Sequence, residues 1–180
     1  METDKTYTGA TEEQIWKQIA ADINDDILEY HAIIQQGQAQ VYLDIDIDLG
    51  GGFEGGYATT TYRAPLNSTN FQFAIHEEHF TDEIGKFFNM QDVTIGYPEL
   101  DEHLIVKTND VEKVKTLFTD EQTRKTLTEL ENFDLGIRLH SVEGSDKKEA
   151  FLELNIEDGI TDIDTLRELY HAFYMVLVTI

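Results

Sequence analysis

Cysteine is absent from this sequence of 180 residues, and proline occurs only twice. Without cysteine the chain can form neither disulfides nor an iron–sulfur cluster, and it has no thiol nucleophile. Residues 1–7 also lack the basic region and the apolar run of a secretory signal peptide. We therefore expect a cytoplasmic protein.

Basic residues are scarce: 13 lysines and arginines face 36 aspartates and glutamates, which gives a formal net charge of −23. Binding to a phosphate backbone needs clustered basic residues, so we expect no direct nucleic-acid binding. The strongest apolar cluster, 173–178, is far shorter than the roughly 18 residues of a membrane span, and no membrane contact is expected. Yet 41% of the residues are apolar, which favours a folded core over disorder.

Hydrophobic periodicity divides the chain into helices and strands. Residues 11–36 carry isoleucines at helical spacing, which predicts a long amphipathic helix that begins at a Thr11–Gln14 capping box and ends at Gly37. Alternating apolar residues predict seven strands, near 38–49, 57–63, 71–75, 92–95, 103–107, 135–139 and 151–156. Helical spacing predicts short helices near 81–88, 111–118 and 127–130, and a closing helix from Asp162 onward.

This order indicates an α+β fold: an antiparallel sheet of about seven strands, with the long N-terminal helix, short central helices and a C-terminal helix packed on it. No linker rich in proline or serine divides the chain, so we expect a single domain over 1–180. Within it, two weakly similar halves near 1–90 and 91–180 are a further option. The last two turns of the closing helix are apolar on nearly all sides, which favours burial in its own core; a homodimer through this helix is the alternative.

The glycines at 50, 52 and 55 have the spacing of a dinucleotide-binding loop. Such a loop needs a helix at its last glycine, because the helix N-terminus holds the pyrophosphate. The residues that follow, 57–62, are instead of the β-branched and aromatic kind that forms strands, and Glu54 would repel a phosphate. We interpret the segment as a hairpin loop and predict no cofactor.

Three aspartates alternate along one predicted strand, so their carboxylates lie on one face, about 6.8 Å apart. The simplest interpretation is a solvated strand face that also discourages pairing between sheet edges. As a functional surface, it would meet a basic partner and accelerate the encounter by electrostatic steering. The candidate partner-binding residues, on this strand and around the glycine loop, are Asp44, Asp46, Asp48, Glu54, Tyr57 and Tyr62.

A second cluster, His76, Glu78 and His79, gathers candidate metal ligands. It fits neither H-E-x-x-H nor H-x-x-E-H. On a strand, His76 and Glu78 share one face, whereas on a helix His76 and His79 could share an ion. A zinc site needs a third protein ligand. No catalytic residue is predicted.

Residues 91–96 have the sequence Gln-Asp-Val-Thr-Ile-Gly, and residues 100–107 have the sequence Leu-Asp-Glu-His-Leu-Ile-Val-Lys. The region around 87–118 thereby resembles uncharacterised bacterial α+β domains of unknown function. In these, a Gln-Asp-hydrophobic-x-hydrophobic-Gly strand precedes an aromatic-Asp-x-x-Phe-x-hydrophobic-Lys strand and a short helix. Leu100 and Leu104 stand in place of the aromatic residues of that pattern. The resemblance implies this order of elements and no activity.

The sequence therefore favours a non-enzymatic protein-interaction module that binds a basic partner, in the manner of an immunity protein or an adaptor. The alternative is a metal-dependent hydrolase that combines Asp44 and Asp46 with His76 and His79.

Overall fold

The computed structural model of the chain describes residues 5–24, 26–51, 55–67, 70–77, 90–142, 144 and 146–180. The strands are β1 (Lys5–Gly9), β2 (Glu29–Gln36), β3 (Ala39–Asp48), β4 (Tyr57–Leu66), β5 (Phe73–Glu77), β6 (Asp92–Val93), β7 (Leu104–Thr108), β8 (Phe133–Ser141) and β9 (Lys148–Ile156). The helices are α1 (Glu12–Ile19), α2 (Pro98–Asp101), α3 (Val111–Leu117), α4 (Glu121–Glu129) and α5 (Ile163–Thr179).

The nine strands form one sheet in the order β1-β2-β3-β4-β9-β8-β5-β7-β6. Strands β1 and β2 run parallel, and the other neighbouring pairs are antiparallel. The α+β class, the mainly antiparallel sheet and the C-terminal helix are confirmed. The described sheet has nine strands rather than about seven, because β1 and β2 were not expected.

The prediction of a helix over 11–36 is wrong beyond its first turns. Helix α1 begins as expected, with Gln14 N donating to Thr11 Oγ1 at 3.3 Å and Ala10 N donating to Gln14 Oε1 at 2.9 Å. It ends at Ile19, and residues 29–36 form β2 instead. In β2 every second side chain is buried, beginning at Tyr30, so the period is two.

Gly37 does not end a helix; it turns the hairpin between β2 and β3. Gln36 pairs with Ala39, which leaves a loop of two residues, Gly37 and Gln38. Gly37 has φ 61°, a left-handed backbone conformation that glycine adopts without steric cost. A glycine with positive φ at the first of two loop positions is typical of a type II′ turn, whose twist matches that of the flanking strands.

Helices pack on one face of the sheet, around α5. The Tyr62 hydroxyl of β4 donates to Leu166 O of α5 at 2.8 Å, and the Tyr170 hydroxyl of α5 donates to Gln36 Oε1 of β2 at 2.9 Å. Trp16 of α1 contacts the Tyr170 ring edge to face, with centroids 5.7 Å apart. Helix α5 begins next to Asp162, as expected, and Asp162 caps it: Thr165 N donates to Asp162 Oδ2 at 2.8 Å.

The apolar residues of α5 are mostly buried in the chain's own core, as expected, although Val178 near its end is 53% exposed. The buried members are Leu166, Leu169, Tyr170, Ala172, Phe173 and Val176. A homodimer through this helix stays a prediction. None of the described helices has the length and the apolar run that a membrane span needs.

The glycine segment joins β3 to β4 as a hairpin, since Asp48 pairs with Tyr57. A strand and not a helix therefore follows it, which excludes the dinucleotide-binding geometry. The predicted strand at 92–95 is confirmed only over Asp92–Val93. The predicted helix at 81–88 lies outside the described residues.

Candidate interaction surface

The face of β2, β3 and β4 that points away from the helices carries polar and charged side chains; we call it the open face. On β3 the buried positions are Val41, Leu43 and Ile45, and the positions between them are half-buried or exposed. Because side chains alternate along a strand, the three aspartates of β3 all lie on the open face.

Four carboxylates on adjacent strands form what we call the acidic strip: Glu29 of β2 with Asp44, Asp46 and Asp48 of β3. Glu29, Asp46 and Asp48 are exposed, and Asp44 is half-buried. Tyr57 of β4 lies beside the strip, 54% exposed, and its hydroxyl donates to Asp46 Oδ2 at 3.0 Å. The structure thus places Asp44, Asp46, Asp48 and Tyr57 on one face of the sheet, and their role in binding a partner stays a prediction.

Two members of the strip face each other directly, because Glu29 and Asp46 are register partners in the β2–β3 pair. Like charges at opposed positions of an antiparallel pair destabilise it. This cost falls when a cation lies between or above the two carboxylates. The register therefore places two like charges opposite each other on the open face of the sheet.

His31 lies within the strip and contacts two of its carboxylates. Its Nδ1 is 2.7 Å from Asp44 Oδ1, and its Nε2 is 3.1 Å from Glu29 Oε1. The hydrogen bonds with Asp44 and, to a smaller extent, with Glu29 raise the pKa of His31 above its ordinary value. The imidazole therefore binds a proton more readily than an isolated histidine does.

Tyr62 is not part of this surface, and its prediction as a partner-binding residue is wrong. Its side chain is fully buried against α5, and burial raises the pKa of its hydroxyl well above the ordinary value. Tyr57 and Tyr62 are five positions apart on one strand, so they point to opposite faces. Glu54, the remaining predicted partner-binding residue, lies outside the described residues.

An arginine stands between two aromatic rings next to the acidic strip. The guanidinium carbon of Arg63, on β4, is 5.5 Å from the ring centroid of Tyr42 on β3 and 5.6 Å from that of Phe151 on β9. Tyr42 is fixed in turn by Gln40, whose Nε2 donates to the tyrosine hydroxyl at 2.5 Å. No local pattern in the sequence indicates this stack, because Phe151 on β9 is distant along the chain from Tyr42 and Arg63, which pair across the β3–β4 hairpin.

Toward β8 and β5 the same face of the sheet becomes buried, yet it stays polar. Asp134 of β8 is fully buried and forms an ion pair with Arg138. Asn155 Nδ2 of β9 lies 3.3 Å from Asp134 Oδ2. A buried ion pair contributes little net stability, although removing one partner alone is costly.

His76 of β5 lies directly opposite Asp134 and is 4% exposed. Its Nδ1 is 2.6 Å from Glu77 O, and its Nε2 is buried without a hydrogen-bond partner among the described residues. Burial lowers the pKa of His76, so the imidazole is neutral near pH 7. With Nδ1 as donor, Nε2 carries a free lone pair.

The structure does not bring His76 together with the carboxylates of β3. In the sheet order, β4, β9 and β8 lie between β3 and β5, so four interstrand spacings of about 4.8 Å separate Asp44 from His76. Glu78 and His79 lie outside the described residues. Within the described ranges, no three histidine or acidic side chains are grouped so as to hold a metal ion.

Comparisons with protein-family models, with curated proteins and with solved structures find no match to this chain. The local resemblance around residues 87–118 therefore stays a prediction.

Proposed function

We propose that this chain is a non-enzymatic interaction module that binds a basic protein partner through the acidic strip, as an immunity protein or an adaptor would. The observation that carries the proposal is the pairing of Glu29 with Asp46 across β2 and β3, next to two further exposed or half-buried aspartates. Opposed like charges repel each other, and this repulsion weakens the strand pair. A lysine or arginine of a partner would turn it into attraction.

The overall charge supports the same kind of partner. With a net charge of −23, the molecule attracts basic proteins over distances comparable to the Debye length, about 8 Å at physiological ionic strength. Such steering mainly raises the association rate. Short-range contacts with the acidic strip would then determine where on the molecule the partner binds.

The spacing of the strip sets a requirement on the partner. Carboxylates two positions apart on β3 are about 6.8 Å apart, which matches alternate side chains of an extended segment. A basic segment with lysine or arginine at every second position could therefore contact Asp44, Asp46 and Asp48 in turn. Tyr57 adds an exposed ring at one end of the strip, and tyrosine is a frequent energetic anchor in interfaces.

The alternative function, a metal-dependent hydrolase, receives less support. The predicted site residues of the hydrolase combined carboxylates of β3 with His76, and three strands of the sheet separate β3 from the strand of His76. A hydrolase would have to use His76 without Asp44 and Asp46.

Binding of a labelled oligolysine peptide to the purified chain tests the proposal. The variant Asp44→Asn/Asp46→Asn/Asp48→Asn should weaken binding about ten-fold or more at low ionic strength, because three charge contacts are lost. The matched control is Glu112→Gln/Glu129→Gln/Glu168→Gln, which changes the net charge equally on exposed helix positions. The affinity of the control variant for oligolysine should fall about two-fold or less.

Equal losses of oligolysine affinity in the two triple variants would contradict the proposal, because net charge alone would then explain the binding. A natural partner can be sought by capture from lysate at low ionic strength, with the β3 triple variant as the negative bait. A basic protein retained by the unaltered chain and by the control variant, but not by the β3 variant, is the expected result.

A further inference from the structure

We propose that Arg63, held between the rings of Tyr42 and Phe151, is a binding site for one carboxylate group. The site goes beyond the proposed interaction with a basic partner and does not depend on it. It uses the positive group of the open face, whereas the acidic strip uses the negative ones.

The guanidinium of Arg63 is preorganised by its two aromatic neighbours. The rings of Tyr42 and Phe151 lie 5.5 and 5.6 Å from its central carbon, on the two strands that flank β4. Contacts of this kind hold the planar group against aromatic faces and leave its N–H edge for a planar acceptor. A carboxylate that binds there finds a side chain whose rotamer freedom is already reduced.

Arg63 has no acidic partner in the part of the chain that the structure describes. The ion pairs there do not include it, and its buried Nε has no hydrogen-bond partner. A half-buried guanidinium normally has such a partner, because desolvating an unpaired charge is unfavourable. A chain with 36 acidic residues has ample means to supply one.

The carboxylates beside Arg63 in the strand register are bound by histidines. Glu153 lies directly opposite Arg63 in the β4–β9 pair, yet its Oε1 is 2.6 Å from His140 Nε2. Asp44, one diagonal position away on β3, is 2.7 Å from His31 Nδ1. Both side chains therefore point to other partners, and the edge of the guanidinium is left to an external anion.

The charge and shape of the site favour a carboxylate over a phosphate group. One guanidinium matches the two coplanar oxygens of a carboxylate through a pair of parallel hydrogen bonds. A phosphate group carries up to two charges at neutral pH, and the surrounding carboxylates would repel it more strongly. The adjacent rings of Tyr42 and Phe151 also favour a carboxylate attached to a flat apolar body.

Nuclear magnetic resonance titration with sodium benzoate tests the site, with sodium acetate and inorganic phosphate as comparison anions at matched ionic strength. The reporters are the Nε–Hε signal of Arg63 and the backbone amides of β4 and β9. We expect saturable shifts with benzoate in the millimolar range, and smaller shifts with acetate. Arg63→Gln should abolish saturation at the amides. Arg63→Lys should weaken binding at least about five-fold, because lysine keeps the charge without the planar fork.

Arg167→Gln is the matched control, since it removes the same charge from an exposed position of α5 and should bind benzoate like the unaltered chain. Circular dichroism and thermal melting establish that each variant is folded. The proposal is overturned if benzoate gives no saturable shift, if Arg63→Gln keeps it, or if phosphate binds more tightly than benzoate. Oligolysine binding by Arg63→Gln should be undiminished, so failure of this site leaves the proposed function intact.

Discussion

His31 shows how a single side chain responds to its charged neighbours. It lies between Asp44 and Glu29, and their hydrogen bonds raise its pKa in the folded chain. A histidine with a raised folded-state pKa stabilises the fold most at pH values below its unfolded-state pKa of about 6.5. That contribution disappears as the pH rises through the folded-state value.

The contribution of His31 to the free energy of unfolding should therefore fall as the pH rises above about 6.5, because the imidazole loses its proton. Asp44→Asn removes the larger cause of the raised pKa and should flatten this part of the profile. Urea denaturation across that pH range measures the effect, and the His31 ring resonances report its pKa directly. The control Glu112→Gln removes one charge at an exposed position that forms no ion pair with a histidine among the described residues, and it should leave the slope unchanged. An unchanged slope in Asp44→Asn would contradict the argument.

Strand β2 is the element whose identity matters most for the candidate surface. As a strand it places Glu29 and His31 beside the aspartates of β3. As part of a long helix, the same residues would have no fixed relation to β3. Ala32 distinguishes the strand from the helix. It is 3% exposed in β2, whereas in a helix it would lie on the polar face, opposite the isoleucines.

Ala32→Glu should therefore destabilise the fold by more than about 3 kcal/mol, since a charge would be buried without a partner. Gln35→Glu introduces the same charge on an exposed position of the same strand and should change stability by about 0.5 kcal/mol or less. Chemical denaturation measures both. A tolerated Ala32→Glu variant would argue against the strand.

Several elements could be predicted from the sequence because one periodicity dominates them. Strand β3 alternates without interruption, and α5 has an aspartate cap followed by apolar residues at helical spacing. Over 23–36 two periodicities overlap, since the spacing of the isoleucines suggests a helix while Tyr30, Ala32 and Ile34 alternate. Tertiary packing decides between them.

The candidate surface could be predicted only in part, for a related reason. The aspartates of β3 share a face whichever strands lie next to β3, so the alternation along this one strand was sufficient to predict their shared face. Glu29, His31 and Arg63 join the surface through the registers of β2 with β3 and of β3 with β4, and the prediction of a helix over 11–36 hid the first of these. The burial of one of the two tyrosines, Tyr57 or Tyr62, could have been inferred, because an odd separation on a strand places them on opposite faces.

The whole molecule carries far more negative charge than its ion pairs compensate. Ion pairs among the described residues lie mostly at the surface, where each contributes about 0–1 kcal/mol. Repulsion among 36 acidic residues acts over the whole chain and opposes compaction. Added salt screens both the attraction within ion pairs and the repulsion among acidic residues. The repulsion is the larger of the two, because like charges are in excess.

Raising sodium chloride from low to physiological concentration should therefore stabilise the fold by about 1–2 kcal/mol, which raises Tm by roughly 2–8 °C for a chain of this size. Thermal melting followed by circular dichroism measures the shift. Near pH 4 many carboxylates are protonated, and the same salt step should have a smaller effect. A Tm that falls with salt at neutral pH would mean that attractive pairs dominate.

The strand order also has a consequence for how the protein is made. β9 lies in the interior of the sheet, between β4 and β8, although its residues 148–156 are synthesised long after β4. A ribosome therefore releases β1 to β4 while the edge of β4 still exposes unpaired N–H and C=O groups, which invite pairing with other chains. The acidic residues of β3 also repel other copies of the nascent chain during that interval. The negative charge would then reduce aggregation of the nascent chain, before the folded protein binds any partner.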